Sequence, residues 1–137
     1  MDYKRQYELY MDEKGIKYTE LDEKSLRVTY VGDNLKTIPI SVFFEEDGDP
    51  MVTLKCWEIA QFKEEKVGKG LFTCILKNKE YRWVKFYIDD DSDVVASCDS
   101  FIDTGNVGES CHFLVRTMVN IIDAVYPAFM EALWSSK

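Results

Sequence analysis

The chain has a single histidine, His112, and it directly follows a cysteine, Cys111. Neighbouring residues on a helix diverge by about 100°, so these two cannot form a nucleophile–base pair in the usual geometry. A lone histidine also lacks the third group that orients a catalytic base. The four cysteines, Cys56, Cys74, Cys98 and Cys111, are dispersed and contain no CxxC pair. They are the small buried hydrophobes expected in a reducing compartment, and they offer no local thiol–imidazole set for a transition metal. Asp89-Asp90-Asp91-Ser92-Asp93 is rich in carboxylate oxygens. It lacks the glycine and the distal glutamate of an EF-hand loop, and a solvated hairpin turn accounts for it. Thr104-Gly105-Asn106-Val107-Gly108-Glu109-Ser110 brings glycines to the start of a helix. It has neither the P-loop lysine nor dinucleotide-binding spacing, and Glu109 would repel phosphate. The expectation is a protein that is not an enzyme, with no catalytic residues, no metal and no cofactor.

Composition bounds the partners. A chain of 137 residues, 46% hydrophobic and 14% aromatic, is the size of one domain with a real interior, so residues 1–137 are expected to form a single unit. The net charge of −8 and a pI near 4.7 disfavour nucleic acid and anionic membrane surfaces. The densest basic stretch, Lys63 to Lys79, is diluted by Glu64 and Glu65, with Glu80 just beyond it. The N-terminal MDYKRQYELYMDEK lacks the apolar centre of a secretory signal, and no apolar run approaches the ~20 residues of a membrane span. A cytoplasmic location is expected.

Hydrophobic periodicity supplies the elements. Tyr3, Tyr7, Tyr10, Met11 and Lys14 fall at helical spacing, and Gly15 with Ile16 stands where a helix would stop. Period-two alternation follows in Leu26–Tyr30, Ile38–Phe44 and Val52–Cys56, with a short extra strand near Tyr18–Leu21 and an Asp-Gly turn at Glu46–Asp49. Pro39 must sit at an edge, a bulge or a strand start. Lys63–Lys79 is expected to be a helix presenting Val67, Leu71, Cys74, Ile75 and Asn78 on one face, widened by Phe72 and Leu76. A hairpin then joins Val84–Ile88 to Val94–Phe101. Asn106 and Glu109 resemble a capping box ahead of Cys111, Leu114, Val115, Met118, Val119, Ile122 and Val125, and Pro127 should break or kink that helix. The order α-βββ-α-ββ-α implies an α+β domain, an antiparallel sheet with helices packed on it.

With chemistry absent, recognition surfaces remain. Phe43, Trp57, Trp83 and Tyr87 lie on strand faces opposite the most regular apolar positions. If helices cover one side of the sheet, these aromatics form an interaction surface. The alternative is a small-ligand sensor or weak enzyme, with Asn78, Arg82, Asp99 and His112 lining a cleft between sheet and helices.

From Leu76 to Trp134 the chain resembles the YbjN-like family, a bacterial family. The resemblance rests on Leu76-Lys77-Asn78-Lys79-Glu80-Tyr81-Arg82-Trp83-Val84-Lys85-Phe86-Tyr87-Ile88, the Asp-rich turn, Val94-Val95-Ala96, Gly108-Glu109-Ser110-Cys111 and Ile121 through Met130. Asn78 matches an asparagine near the end of the family's middle helix, and Tyr126-Pro127 matches its C-terminal pair. The first half fits more loosely, through element order and Gly15-Ile16-Lys17-Tyr18. The resemblance implies a fold similar to type III secretion chaperones, which are small acidic homodimers that bind extended segments of other proteins. The family carries the label of a sensory-transduction regulator and supplies no catalytic residues to transfer. The expected partners are therefore a second copy of the chain and an unidentified protein.

Overall fold

The computed structural model describes residues 2–46 and 48–136. The first helix, α1 (Tyr3–Lys14), starts at Asp2, whose carboxylate accepts from the Arg5 amide, and stops at Gly15 with φ 73°. Ile16 N–H reaches back to the Met11 carbonyl, closing the end as expected. Strands β1 (Thr19–Asp22), β2 (Ser25–Tyr30), β3 (Ile38–Phe44) and β4 (Met51–Cys56) follow. The β3–β4 connection has Gly48 at φ 87°, and Asp47 of the expected Asp-Gly turn lies outside the described residues. Pro39 sits near the start of β3, before the β4 pairing begins at Ser41. A single 3₁₀ turn, Glu64–Lys66, leads into α2 (Val67–Glu80), then β5 (Lys85–Ile88), β6 (Val94–Phe101) and α3 (Val107–Trp134).

The strands form one antiparallel sheet in the order β1-β2-β3-β4-β6-β5. Its register sorts side chains cleanly. Leu26, Val42, Leu54 and Cys98 are successive cross-strand partners and all are buried. One residue along, Thr19, Arg27, Ser41, Lys55, Ser97 and Lys85 form the equivalent row on the opposite face. The helices lie on the Leu26 side. There Tyr7 and Met11 of α1, and Cys111, Val115, Met118, Ile122, Val125 and Phe129 of α3, complete one core. By length and composition α3 is apolar enough to cross a membrane; its buried stripe is the part that meets the sheet and α1.

Three expectations are corrected. Asn106 starts α3 without a side-chain cap bond to the backbone; its Nδ2 donates to Glu109 Oε2 instead. On α2 the buried residues are Gly70 and Cys74, while Leu71 and Ile75 are exposed. Gly70 permits this, because a Cβ there would meet Ile88 and Phe62 at 2.8–2.9 Å. The helix packs through its smallest residue and leaves its large ones outside.

The third correction concerns the break expected at Pro127: α3 runs continuously through it from Val107 to Trp134. Proline lacks the N–H that would bond the carbonyl four residues back, here Asp123. That carbonyl accepts from Asn34 Nδ2 at 3.0 Å, across 89 residues of sequence. The Asp123 carboxylate meanwhile accepts from the backbone N–H groups of Asp33, Asn34 and Leu35. The β2–β3 loop is thus docked at the one helical turn whose ladder is incomplete. Gly32 is required there, since a Cβ would fall 2.3 Å from Asp123 Oδ1 and 2.5 Å from the Leu35 carbonyl.

The Leu35 N–H, followed by those of Asn34 and Asp33, holds the Asp123 carboxyl below its ordinary pKa. A depressed folded-state pKa stabilises the protein above the ordinary carboxylate range, and that contribution is lost as the pH falls through the folded value. Asp123→Ala should cost about 1–3 kcal/mol at neutral pH and progressively less in acid, measured by urea denaturation across pH. In a double-mutant cycle, Asn34→Ala should cost less in a Pro127→Ala background, where the restored N–H can satisfy the Asp123 carbonyl.

Candidate interaction surface on the open sheet face

The side of the sheet away from the helices is where the expected aromatics come together. Trp57 follows β4, and the next residue, Glu58, takes a left-handed φ of 57° that turns the chain out of the strand. Phe43 of β3 meets Trp57 edge-on, with ring centroids 6.0 Å apart and planes at 90°. Lys55 stands between Trp57 and Tyr87, its ammonium 5.9 Å from each ring centroid and 3.4 Å from the Tyr87 hydroxyl. Cation–π attraction to both rings favours this placement of the ammonium. A shallow groove of about 570 Å³ is lined by Trp57 and Glu58 together with Leu21, Arg27, Pro39, Ser41 and Phe43. Phe101 and Met51 are paired further along the same face. Trp57, Tyr87 and Phe101 are all exposed.

Trp83 is not part of this surface. It precedes β5 and adopts a φ of 72°, which breaks the two-residue alternation shared by Lys85 and Tyr87. Its ring packs edge-on against Phe113 of α3, at 5.6 Å, on the helical side of the molecule.

The four residues of the ligand-cleft alternative do not converge. Asn78 faces the outer edge of β5, donating from Nδ2 to the Phe86 carbonyl at 3.0 Å and accepting the Phe86 N–H at 2.6 Å. Its amide imitates a neighbouring strand and closes that edge. Arg82 is exposed in the α2–β5 connection. Asp99 lies on the open face and accepts from the Thr53 hydroxyl. His112 packs on Tyr10 of α1, with ring centroids 5.7 Å apart. Desolvation, then Arg116 and Lys14, lowers its pKa.

The neighbouring thiol is chemically quiet. Burial pushes Cys111 and Cys56 up to about 12 and Cys74 to about 11, so these thiols stay protonated at neutral pH. All four cysteines are free and buried. Asp89, Asp91 and Asp93 do bring carboxylate oxygens within 4.8 Å of one another. The turn itself organises them, through Asp89 Oδ1 accepting from the Asp91 and Asp93 amides. Sequence reasoning missed the covered edge at Asn78. The signal available was a polar residue placed on the same face of α2 as buried Cys74.

No known family profile matches the chain, and no curated protein sequence matches it. Among solved structures, the crystal structure of YbjN from E. coli superimposes with a TM-score of 0.66 at 14% identity, covering 93% of this chain and 89% of that one. Identity at that level speaks for the fold alone.

Replacing Asn78 with leucine should strand the Phe86 N–H and carbonyl. We expect a loss of about 1–3 kcal/mol in stability and faster amide exchange confined to β5. A recognition role for Asn78 would instead leave both unchanged. The expectation of an antiparallel α+β domain of this type holds: the chain has the YbjN-like fold.

Proposed function

We propose that the protein is a non-catalytic binding module, chaperone-like or regulatory, which acts as a homodimer and receives a protein partner on the open face of its sheet. The observation that carries this reading is the Phe43–Trp57–Lys55–Tyr87 cluster, an aromatic surface that no helix covers. Aromatic side chains with a desolvatable cation are the groups that dominate association energetics. The groove beside Trp57 continues toward β1, whose four residues are all exposed. With the β5 edge closed by Asn78, β1 is the edge left for an incoming extended segment to pair with. Glu20 and Asp22 on β1 act against indiscriminate edge pairing. The acidic net charge speaks against nucleic acid as the partner, and the buried free cysteines suit a reducing cytoplasm.

The immobilised chain should retain a stoichiometric protein from native lysate. Trp57→Ser combined with Tyr87→Ser should abolish that retention while leaving the thermal midpoint within a few degrees, because both residues are exposed. Equal retention by wild type and the double variant, or no specific retention by wild type, contradicts the assignment.

A further inference from the structure

Three cations cross the open sheet face in one line. Arg27, Ser41, Lys55, Ser97 and Lys85 are successive cross-strand partners, so cation and hydroxyl alternate at about 4.8 Å per strand. Opposite charges across strands stabilise a sheet face. This line contains no carboxylate, although the chain has 25 acidic residues against 17 basic ones. The next line, Asp22, Ser25, Phe43, Thr53 and Asp99, has a carboxylate at each end. Both carboxylates are engaged within the chain: Asp22 accepts from the Ser25 hydroxyl and Asp99 from the Thr53 hydroxyl. Among the described residues Arg27, Lys55 and Lys85 enter no ion pair. Lys85 donates to the Asn78 and Tyr81 carbonyls at the end of α2, both at 3.0 Å. Arg27 lines the groove with Trp57, and Lys55 lies beside the Trp57 and Tyr87 rings. These two cations are the charged groups that the aromatic surface offers to a partner.

We propose that the segment received on the open face is acidic: an extended stretch of the partner protein in which a carboxylate stands two residues from a large apolar side chain. Same-face residues of an extended chain lie about 6.8 Å apart. Lys55 and Trp57 are likewise two residues apart, at the end of β4. A segment running along β4 therefore seats its apolar side chain against Trp57 while its carboxylate meets Lys55. The Lys55 ammonium already lies beside both rings, so pairing with a carboxylate demands little further ordering. Arg27 offers its planar fork to a second carboxylate, beside the apolar lining of Leu21, Pro39 and Phe43. The overall charge of −8 repels an acidic segment elsewhere on the molecule, so the cationic line fixes where that segment docks. A nucleic-acid strand fits the face less well, because its phosphates would also meet Asp22, Glu58 and Asp99.

This inference rests on the sheet-face assignment and names the chemistry of its partner. Its test is fluorescence anisotropy of the full chain with labelled peptides that repeat phenylalanine, serine, glutamate, serine, which places ring and carboxylate on one side. Counterparts carry lysine or glutamine in place of glutamate, and an oligothymidylate strand is titrated alongside. The glutamate peptide should bind about tenfold more tightly than the lysine peptide. Arg27→Glu with Lys55→Glu should invert that preference, an outcome that loss of folding could not produce. Its thermal midpoint should stay close to wild type, since Arg27 is exposed and Lys55 half-buried. A wild type that binds the glutamate peptide no better than the lysine peptide overturns the proposal. So does an unchanged preference in the double variant, or tighter binding of oligothymidylate than of the glutamate peptide. Lysate retention separates the two readings. If Trp57→Ser with Tyr87→Ser abolishes retention and Arg27→Glu with Lys55→Glu leaves it intact, this inference fails while the sheet-face assignment stands. Equal retention by wild type and the Trp57, Tyr87 variant removes the assignment itself.

Discussion

One-sided burial of the sheet is the constraint on which the rest of the structure depends. Six antiparallel strands place alternate side chains on two faces, and the helices cover only one of them. The rows through Leu26, Val42, Leu54 and Cys98 close against α1 and α3, and each buried large side chain contributes about 1.5–3 kcal/mol relative to exposure. A register slip of one residue would exchange that row for Arg27, Ser41, Lys55 and Ser97, so the pairing is strongly specified. The same alternation that builds the core leaves Phe43, Trp57, Lys55 and Tyr87 facing outward. The core and the candidate interaction surface are two consequences of one register.

Around that constraint the molecule uses polar side chains as substitute backbone. Asn78 occupies the place of a missing seventh strand beside β5, and Asn34 replaces the N–H that Pro127 lacks. Asp123 fills the nest formed by three successive amides of the β2–β3 loop. Close approaches at Gly32, Gly70 and Gly108 let these joints and the α1–α3 contact form. At Gly108 a Cβ would lie 2.4 Å from Tyr10 Cβ. The asparagine and aspartate contacts satisfy backbone groups that the helix and sheet ladders leave without a partner, and they affect which edges remain free for association.

Local rules made most of the fold legible. The Gly15 stop, the β2–β4 alternation, the return strand at Val94–Phe101 and the long apolar stripe of α3 depend on residues close in sequence. What local rules missed depends on distant ones. Pro127 is tolerated because of Asn34 in another element. The outward side of α2 was misassigned because periodicity assumes that large apolar residues face the core, whereas this helix packs through Gly70 and Cys74. Trp83 left its anticipated face because one positive φ reset the strand phase. Of the candidate surface, Phe43, Trp57 and Tyr87 were readable from alternation. Lys55 between two rings required the cross-strand register.

The proposed reading of the open face, reception of another protein, draws its support from the exposed aromatic cluster around Lys55. The histidine and the thiols are packed apart, and the polar groups proposed for a cleft are spread over both faces of the sheet and the α2–β5 turn. The most direct measurement is photo-crosslinking in intact cells, with a photoreactive amino acid placed in turn at Trp57, Tyr87 and His112. The account predicts a discrete adduct with a second, different protein from the first two positions and none from the third. Absence of any such adduct at Trp57 and Tyr87, or an equal adduct at His112, would contradict it.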